Sequence, residues 1–238
     1  PVDWTIGKDT FTGVLVYDGT NAIKRPGLVM VPNWKGINPA AIEKARQIAG
    51  DDYVVLVADV YGSKIRPTTD EEAGKIAGPL REDRATLRAR AEKSVAVLKE
   101  QAGKVPLDAT RIGALGFCFG GTTALELVRG GDELAGVVSL HGALATPVPA
   151  KDDGVRTPVL VLNGADDRSV TDEDIAAFEK EMDGAGADWQ FVNFSGAVHC
   201  FAEPEANNPP GCAYNERAAK RAYEMMFDFF RERFAAKK

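Results

Sequence analysis

"GALGFCFGG" (113–121) sets a cysteine inside a glycine-rich turn directly after an apolar run. Working outward, RIGALGF (111–117) reads as a strand and TTALELVRGG (122–131) as a helix stopped by its own glycines. Gly116 and Gly120 stand two residues either side of Cys118. That spacing lets a tight strand-to-helix turn pack closely and lifts the central side chain clear of the sheet. Three readings compete for the thiol: a displayed nucleophile, part of a phosphate-cradling loop, or a buried structural cysteine. A phosphate loop needs a lysine before its final Ser/Thr, and the chain has Thr122 there; a G-x-G-x-x-G dinucleotide loop is absent. The buried cysteine stays open on local grounds, because free cysteines are among the most buried residues.

The alternation continues along the chain. Strands are expected over 10–19, 26–32, 53–59, 134–142, 158–164 and 189–194, and helices over 38–50, 81–103, 172–183 and 217–234. Asn38 caps the first helix, Pro39 opens it and Gly50 stops it. Arg81, Arg84, Arg88 and Arg90 on the 81–103 helix read as a solvated face. Short, continuously apolar strands separated by helices imply an α/β fold, a mostly parallel central sheet with helices on both faces. With 238 residues and no linker-like stretch, one domain over 1–238 is expected.

Hydrophobic residues are 45% of the chain, yet no apolar run approaches the roughly 20 residues a membrane helix needs. A net charge of −6 without a basic stripe argues against nucleic acid and anionic membrane partners and for a small-molecule substrate, with the chain acting as a monomer or homodimer. The chain opens PVDWTIG, without methionine or leader, so the expected compartment is periplasmic or secreted if a signal peptide was removed and cytoplasmic otherwise. Three cysteines cannot form a disulfide framework; Cys200 and Cys212 read as packed thiols, with a bond between them expected only outside the cytoplasm. Two histidines without metal-ligand spacing suggest no metal and no cofactor.

If Cys118 is a nucleophile, a base and an acid should follow it at the carboxyl edge of the sheet. His199, in GAVHCF, follows the 189–194 strand and precedes the last helix. NGADDRSV (163–170) supplies the acid, and Asp167 is preferred to Asp166 because Gly164, Asp167 and Val170 fit a G-x-x-D-x-x-V loop. The order nucleophile, acid, histidine is that of α/β-hydrolases. His141 also follows a strand and is placed at the same rim, but it precedes the acid, so a satisfied structural histidine is favoured there over a base.

These features, together with YDG near the start, PNWKGIN (32–38), ADVYG (58–62) and AYNERAAKRAYEMMFDFF (213–230), make the chain resemble the dienelactone hydrolase family, the cysteine-using branch of the α/β-hydrolases. The resemblance implies Cys118, Asp167 and His199 as catalytic triad, the backbone amides of Trp34 and Phe119 as oxyanion hole, and Asn33 and His141 as substrate-pocket candidates. It also marks two departures. Asn33 stands where dienelactone-opening members carry a glutamate, and Cys200-Phe201-Ala202-Glu203 stands where they carry an arginine. Glu203 is expected near the mouth, where its charge would repel anionic substrates.

The implied chemistry is cleavage of carboxylic esters or lactones through a thioester acyl-enzyme, favoured by a thiol at a helix N-terminus beside an imidazole. The alternative is a small-ligand-binding protein on a hydrolase scaffold, which would stop after one turnover. A peptidase is a weaker alternative, because the thiol leaves more readily than an amine.

Overall fold

The structure, a computed structural model, describes residues 1–235. The chain forms two compact units, one over Pro1–Ala114 and one beginning at Leu115.

The first unit holds β1 (Val2–Ile6), β2 (Asp9–Val16), β3 (Arg25–Val31), α1 (Pro39–Ala49), β4 (Val54–Val57), α2 (Asp70–Glu82) and α3 (Arg84–Lys99). Its strands run in the order β1-β2-β4-β3. β1 and β2 are antiparallel, as are β2 and β4, whereas β3 and β4 are parallel. Every residue of β3 and β4 is buried, the condition under which a strand reads as an unbroken apolar run. α1 starts as its sequence dictates: Asn38 Oδ1 accepts the Ala41 N–H at 2.9 Å and Pro39 opens the first turn.

The helix expected over 81–103 is α3 (Arg84–Lys99), and an unforeseen helix, α2, precedes it. Asp83 caps α3, its carboxylate accepting the Thr86 N–H at 3.0 Å, while α2 starts upstream in a capping box between Thr69 and Glu72. α2 escapes a search for apolar periodicity because it buries only Ala73, Ala77 and Leu80. The solvated arginine face holds at Arg81, which is exposed, but not at Arg84 and Arg90. Arg84 is buried, and Arg90 donates to the Val60 carbonyl at 2.7 Å with its guanidinium 5.2 Å from the centre of the Phe11 ring.

β5 (Leu107–Phe117) runs from the first unit into the second, which continues with α4 (Phe119–Gly130), β6 (Val137–Leu140), β7 (Val159–Gly164), α5 (Asp172–Gly184), β8 (Trp189–Phe194), β9 (Asn207–Asn208), β10 (Cys212–Ala213) and α6 (Glu216–Phe234). β6, β7 and β8 are parallel neighbours. α4 packs on β6 and α6 on β7, where Met226 and Phe230 are fully buried. Arg129 of α4, buried, donates to Glu126, to Glu181 of α5 and to the Leu144 carbonyl, so its charge is paired on every side. Among the described residues, no helix is long and apolar enough to cross a membrane.

The 204–211 stretch is largely exposed and holds β9, which pairs with β10 in a hairpin. The packed-thiol reading of Cys200 and Cys212 does not hold: the two form a disulfide across a sequence separation of 12. The Ala213 N–H also donates to the His199 carbonyl at 3.1 Å, so the hairpin is tied covalently and by hydrogen bonding to the loop that carries His199. Closing a loop of this size stabilises a fold by about 3 kcal/mol in the chain-entropy account. Cys212→Ser is expected to lower the urea unfolding free energy by that order, and the same loss should follow from treating the unaltered chain with a dithiol.

Candidate active site

Three loops of the second unit, each at the carboxyl end of a strand, build the site. The first follows β5. Cys118 lies in the left-handed region (φ 54°), a conformation non-glycine residues rarely adopt, and it directly precedes α4. The turn closes because position 116 is glycine: a Cβ there would sit 2.0 Å from the Gly120 carbonyl oxygen. Cys118 remains a free thiol and is partly exposed. Phe119 opens α4, so its amide belongs to the first turn, whose N–H groups point out of the helix end.

The second loop follows β7 and carries Asp167, which is buried, whereas Asp166 is exposed. The third follows β8 and carries His199, whose side chain is 21% exposed. Gly164 brings these two loops together, since a Cβ at that position would lie 2.6 Å from the Ala197 carbonyl oxygen. The result is a continuous line. His199 Nε2 is 3.0 Å from Cys118 Sγ, and His199 Nδ1 is 2.6 Å from Asp167 Oδ2. The other carboxylate oxygen of Asp167 accepts from the Ser169 hydroxyl at 2.6 Å and the Ser169 N–H at 2.9 Å.

The electrostatics follow from these contacts. Burial opposes a charge on Asp167, but the bonds from His199 and Ser169 outweigh it and hold the carboxyl below its ordinary range. Burial likewise opposes a charge on His199. The hydrogen bonds to Asp167 and Cys118 and the negative charge of both overcome it, raising the imidazole from 6.5 to about 10. An imidazolium placed between a sulfur and a carboxylate can deliver a proton on one side while being held in orientation on the other.

His141 is fully buried, with Nδ1 accepting the Cys118 backbone N–H at 3.1 Å and its ring edge-on to His199 at 5.4 Å between centroids. Asn33 and Trp34 lie in the first unit, in the turn after β3. There Asn33 Oδ1 accepts the Lys35 N–H at 3.0 Å and the Trp34 carbonyl accepts the Tyr61 hydroxyl at 2.8 Å. The expectation that Glu203 sits near the mouth is overturned. It is 2% exposed, and Oε1 lies 4.0 Å from His141 Nε2, because the chain turns inward through buried Phe201 and Ala202 before reaching the exposed hairpin. Pro210 of that hairpin and Val198 line a hollow with residues 165–168. Sequence reasoning passed over Ser169 entirely; its position two residues after the acid, where a hydroxyl bonds back to a carboxylate, was the available signal. Among the described residues, no cluster of His, Cys, Asp and Glu could hold a metal ion.

Known proteins carry the same architecture. The chain is similar to the solved structure "m3DLH", at 36% identity and a TM-score of 0.90 over 98% of this chain and 97% of that one. It is similar also to a dienelactone hydrolase-like promiscuous phosphotriesterase from metagenomic libraries, at 34% identity and a TM-score of 0.90 over 97% and 96%. Among curated sequences, a Bradyrhizobium sp protein named "Probable 2-oxo-3-(5-oxofuran-2-ylidene)propanoate lactonase" is 26% identical over 90% of this chain and 86% of its own length. The profile of the dienelactone hydrolase family matches residues 12–234, and the chain accordingly belongs to that family of α/β-fold ester and lactone hydrolases.

Proposed function

We propose that the chain cleaves uncharged carboxylic esters or lactones with Cys118 as nucleophile, His199 as acid and base, and Asp167 as the group that orients His199. The observation that carries this reading is the line from Cys118 Sγ through the His199 ring to Asp167, at 3.0 and 2.6 Å. The Cys118 thiolate adds to the substrate carbonyl carbon, and the carbonyl electron pair moves to oxygen. That oxyanion accepts a hydrogen bond from the Phe119 amide at the start of α4; such a donor is worth about 3 kcal/mol. The tetrahedral species collapses, the carbon–oxygen bond breaks, and His199 gives its proton to the departing alkoxide. A thioester and a neutral imidazole remain.

Acylation itself prepares the second half of the reaction. Two causes of the raised His199 value are the hydrogen bond to Cys118 and the sulfur's negative charge. Both vanish when sulfur becomes a thioester, so the imidazole, having given up its proton, is not driven to regain one from bulk solvent and stays neutral, free to act as base toward the attacking water. The resulting hydroxide adds to the thioester carbon, sulfur leaves as thiolate, and the acid product is released.

Uncharged substrates are favoured by a departure from the dienelactone-opening pattern. No arginine stands in the Cys200–Glu203 segment to grip a carboxylate. A second reading, phosphotriester hydrolysis, is favoured by the likeness to the promiscuous phosphotriesterase, and a neutral phosphotriester belongs in the same substrate panel.

Cys118→Ala is expected to lower turnover of a p-nitrophenyl ester by at least about 1,000-fold while leaving the circular dichroism spectrum unchanged. Wild-type chain should exceed one product per site many times over; a burst that stops at one equivalent would point to a ligand-binding protein instead.

With Asn33 unable to accept the thiol proton, His199 is the group that activates Cys118. His199→Ala should slow iodoacetamide alkylation of Cys118 at neutral pH by about tenfold or more. An unchanged alkylation rate overturns direct activation.

Because His199 holds its proton up to about pH 10, a nitrogen-15 NMR titration should place its midpoint near that value. The midpoint should fall toward the ordinary 6.5 in Asp167→Asn and in Cys118→Ala, since each removes a cause of the shift. A midpoint near 6.5 in the unaltered chain contradicts the imidazolium resting state.

A further inference from the structure

Behind the nucleophile lies a second histidine and carboxylate that the reaction does not consume. His141 is 0% exposed and Glu203 2% exposed. His141 is itself in the left-handed backbone region (φ 40°), in the residue directly after β6, and its ring packs edge-on against His199 and Phe201. The Cys118 backbone N–H reaches two acceptors, the Leu140 carbonyl at 3.0 Å and His141 Nδ1 at 3.1 Å.

That contact fixes the chemistry of the ring. A nitrogen accepting an N–H carries a lone pair and no proton, so His141 cannot be an imidazolium while it holds Cys118. That leaves the one ring proton to Nε2, which faces Glu203 Oε1 at 4.0 Å, a charge contact beyond hydrogen-bond distance. A carboxylate there favours a proton on the nitrogen turned toward it, and so selects the tautomer that leaves Nδ1 as acceptor.

We infer that His141 is a positioning residue: as the neutral Nε2–H tautomer, selected by Glu203, it grips the Cys118 backbone N–H and so fixes the left-handed turn that keeps Sγ at hydrogen-bonding distance from His199. This inference rests on the reading of Cys118 as the nucleophile. Cys118 has reason to need such a grip, since its backbone conformation is one that a side chain disfavours. His141 touches neither the thiol nor its proton in this role. It acts through the geometry of Cys118 alone.

Two variants separate the acceptor from bulk packing. His141→Asn retains an acceptor oxygen the same number of bonds from the backbone as Nδ1; His141→Leu removes it. His141→Leu is expected to lower kcat and the Cys118 alkylation rate together by about tenfold or more, with KM little changed. His141→Asn is expected to restore both to within about threefold of the unaltered chain. Glu203→Leu, which frees the ring to move its proton to Nδ1, should behave like His141→Leu, whereas Glu203→Gln, which keeps an acceptor oxygen, should not.

The decisive measurement does not depend on any variant folding. The chain has two histidines, so nitrogen-15 NMR of the unaltered chain, with His199 identified by its titration, reports the His141 ring directly. A lone-pair signal at Nδ1 and a protonated Nε2 are expected at neutral pH. A protonated Nδ1, or a His141→Leu chain with unaltered kcat and alkylation, overturns the inference while leaving the triad untouched. Ester turnover that survives Cys118→Ala overturns the triad instead, and the tautomer result stands apart from it.

Discussion

A side chain at position 116 would have its Cβ 2.0 Å from the Gly120 carbonyl oxygen, closer than any two such atoms can come. The contact exists only because the residue is glycine, and the site depends on it. Without it β5 could not turn so abruptly into α4, and the residue at the apex would not be forced to a φ of 54°. That angle lifts the Cys118 side chain off the sheet, directly ahead of the N-terminus of α4. The local cost falls on one residue, whose backbone N–H is held by the Leu140 carbonyl and His141 Nδ1.

The same economy of backbone brings the other two loops into range. Gly164 admits the Ala197 and Val198 carbonyls, setting the acid's loop against the base's loop, and the Cys200–Cys212 bond ties the residue after His199 to the hairpin. Cys200, next to the base, is another side-chain-bearing residue at positive φ (62°). Of the four non-glycine residues at positive φ among the described residues, Cys118, His141 and Cys200 lie at the site and Asp153 lies in the loop before β7; the three at the site are pinned by a hydrogen bond, a packed ring or a covalent bond.

The fold and the three principal side chains were legible because each leaves a local mark. Continuous apolar strands, a glycine-flanked cysteine and an ordered acid and histidine need no knowledge of distant contacts, and even the choice of Asp167 over Asp166 followed from a loop pattern. What escaped was set by tertiary contacts. Arg84 and Arg90 look like surface charges until the Val60 carbonyl and the Phe11 ring are in place. Glu203 looks like a rim carboxylate, because a charged residue next to a polar, proline-rich segment is ordinarily exposed. α2 was invisible because it buries two alanines and a leucine, too little for a periodic signal. Cys200 and Cys212 carry no spacing that distinguishes a bonded pair from two packed thiols.

The burial of Glu203 changes more than one residue's address, because it gives the second unit two histidine–carboxylate pairs with opposite properties. His199 faces a carboxylate on one nitrogen and a sulfur on the other and is 21% exposed, so its proton has somewhere to go. His141 faces a carboxylate on one nitrogen and a backbone N–H on the other and is sealed from solvent, so its proton has nowhere to go. An acceptor lone pair pointed at a peptide N–H is lost the moment that nitrogen is protonated. The same residue types, 5.4 Å apart between ring centres, are thus committed to different work by what stands at the far nitrogen. In the proposed reaction one ring moves a proton in every cycle, and in the inferred tautomer the other serves only as long as its proton stays still.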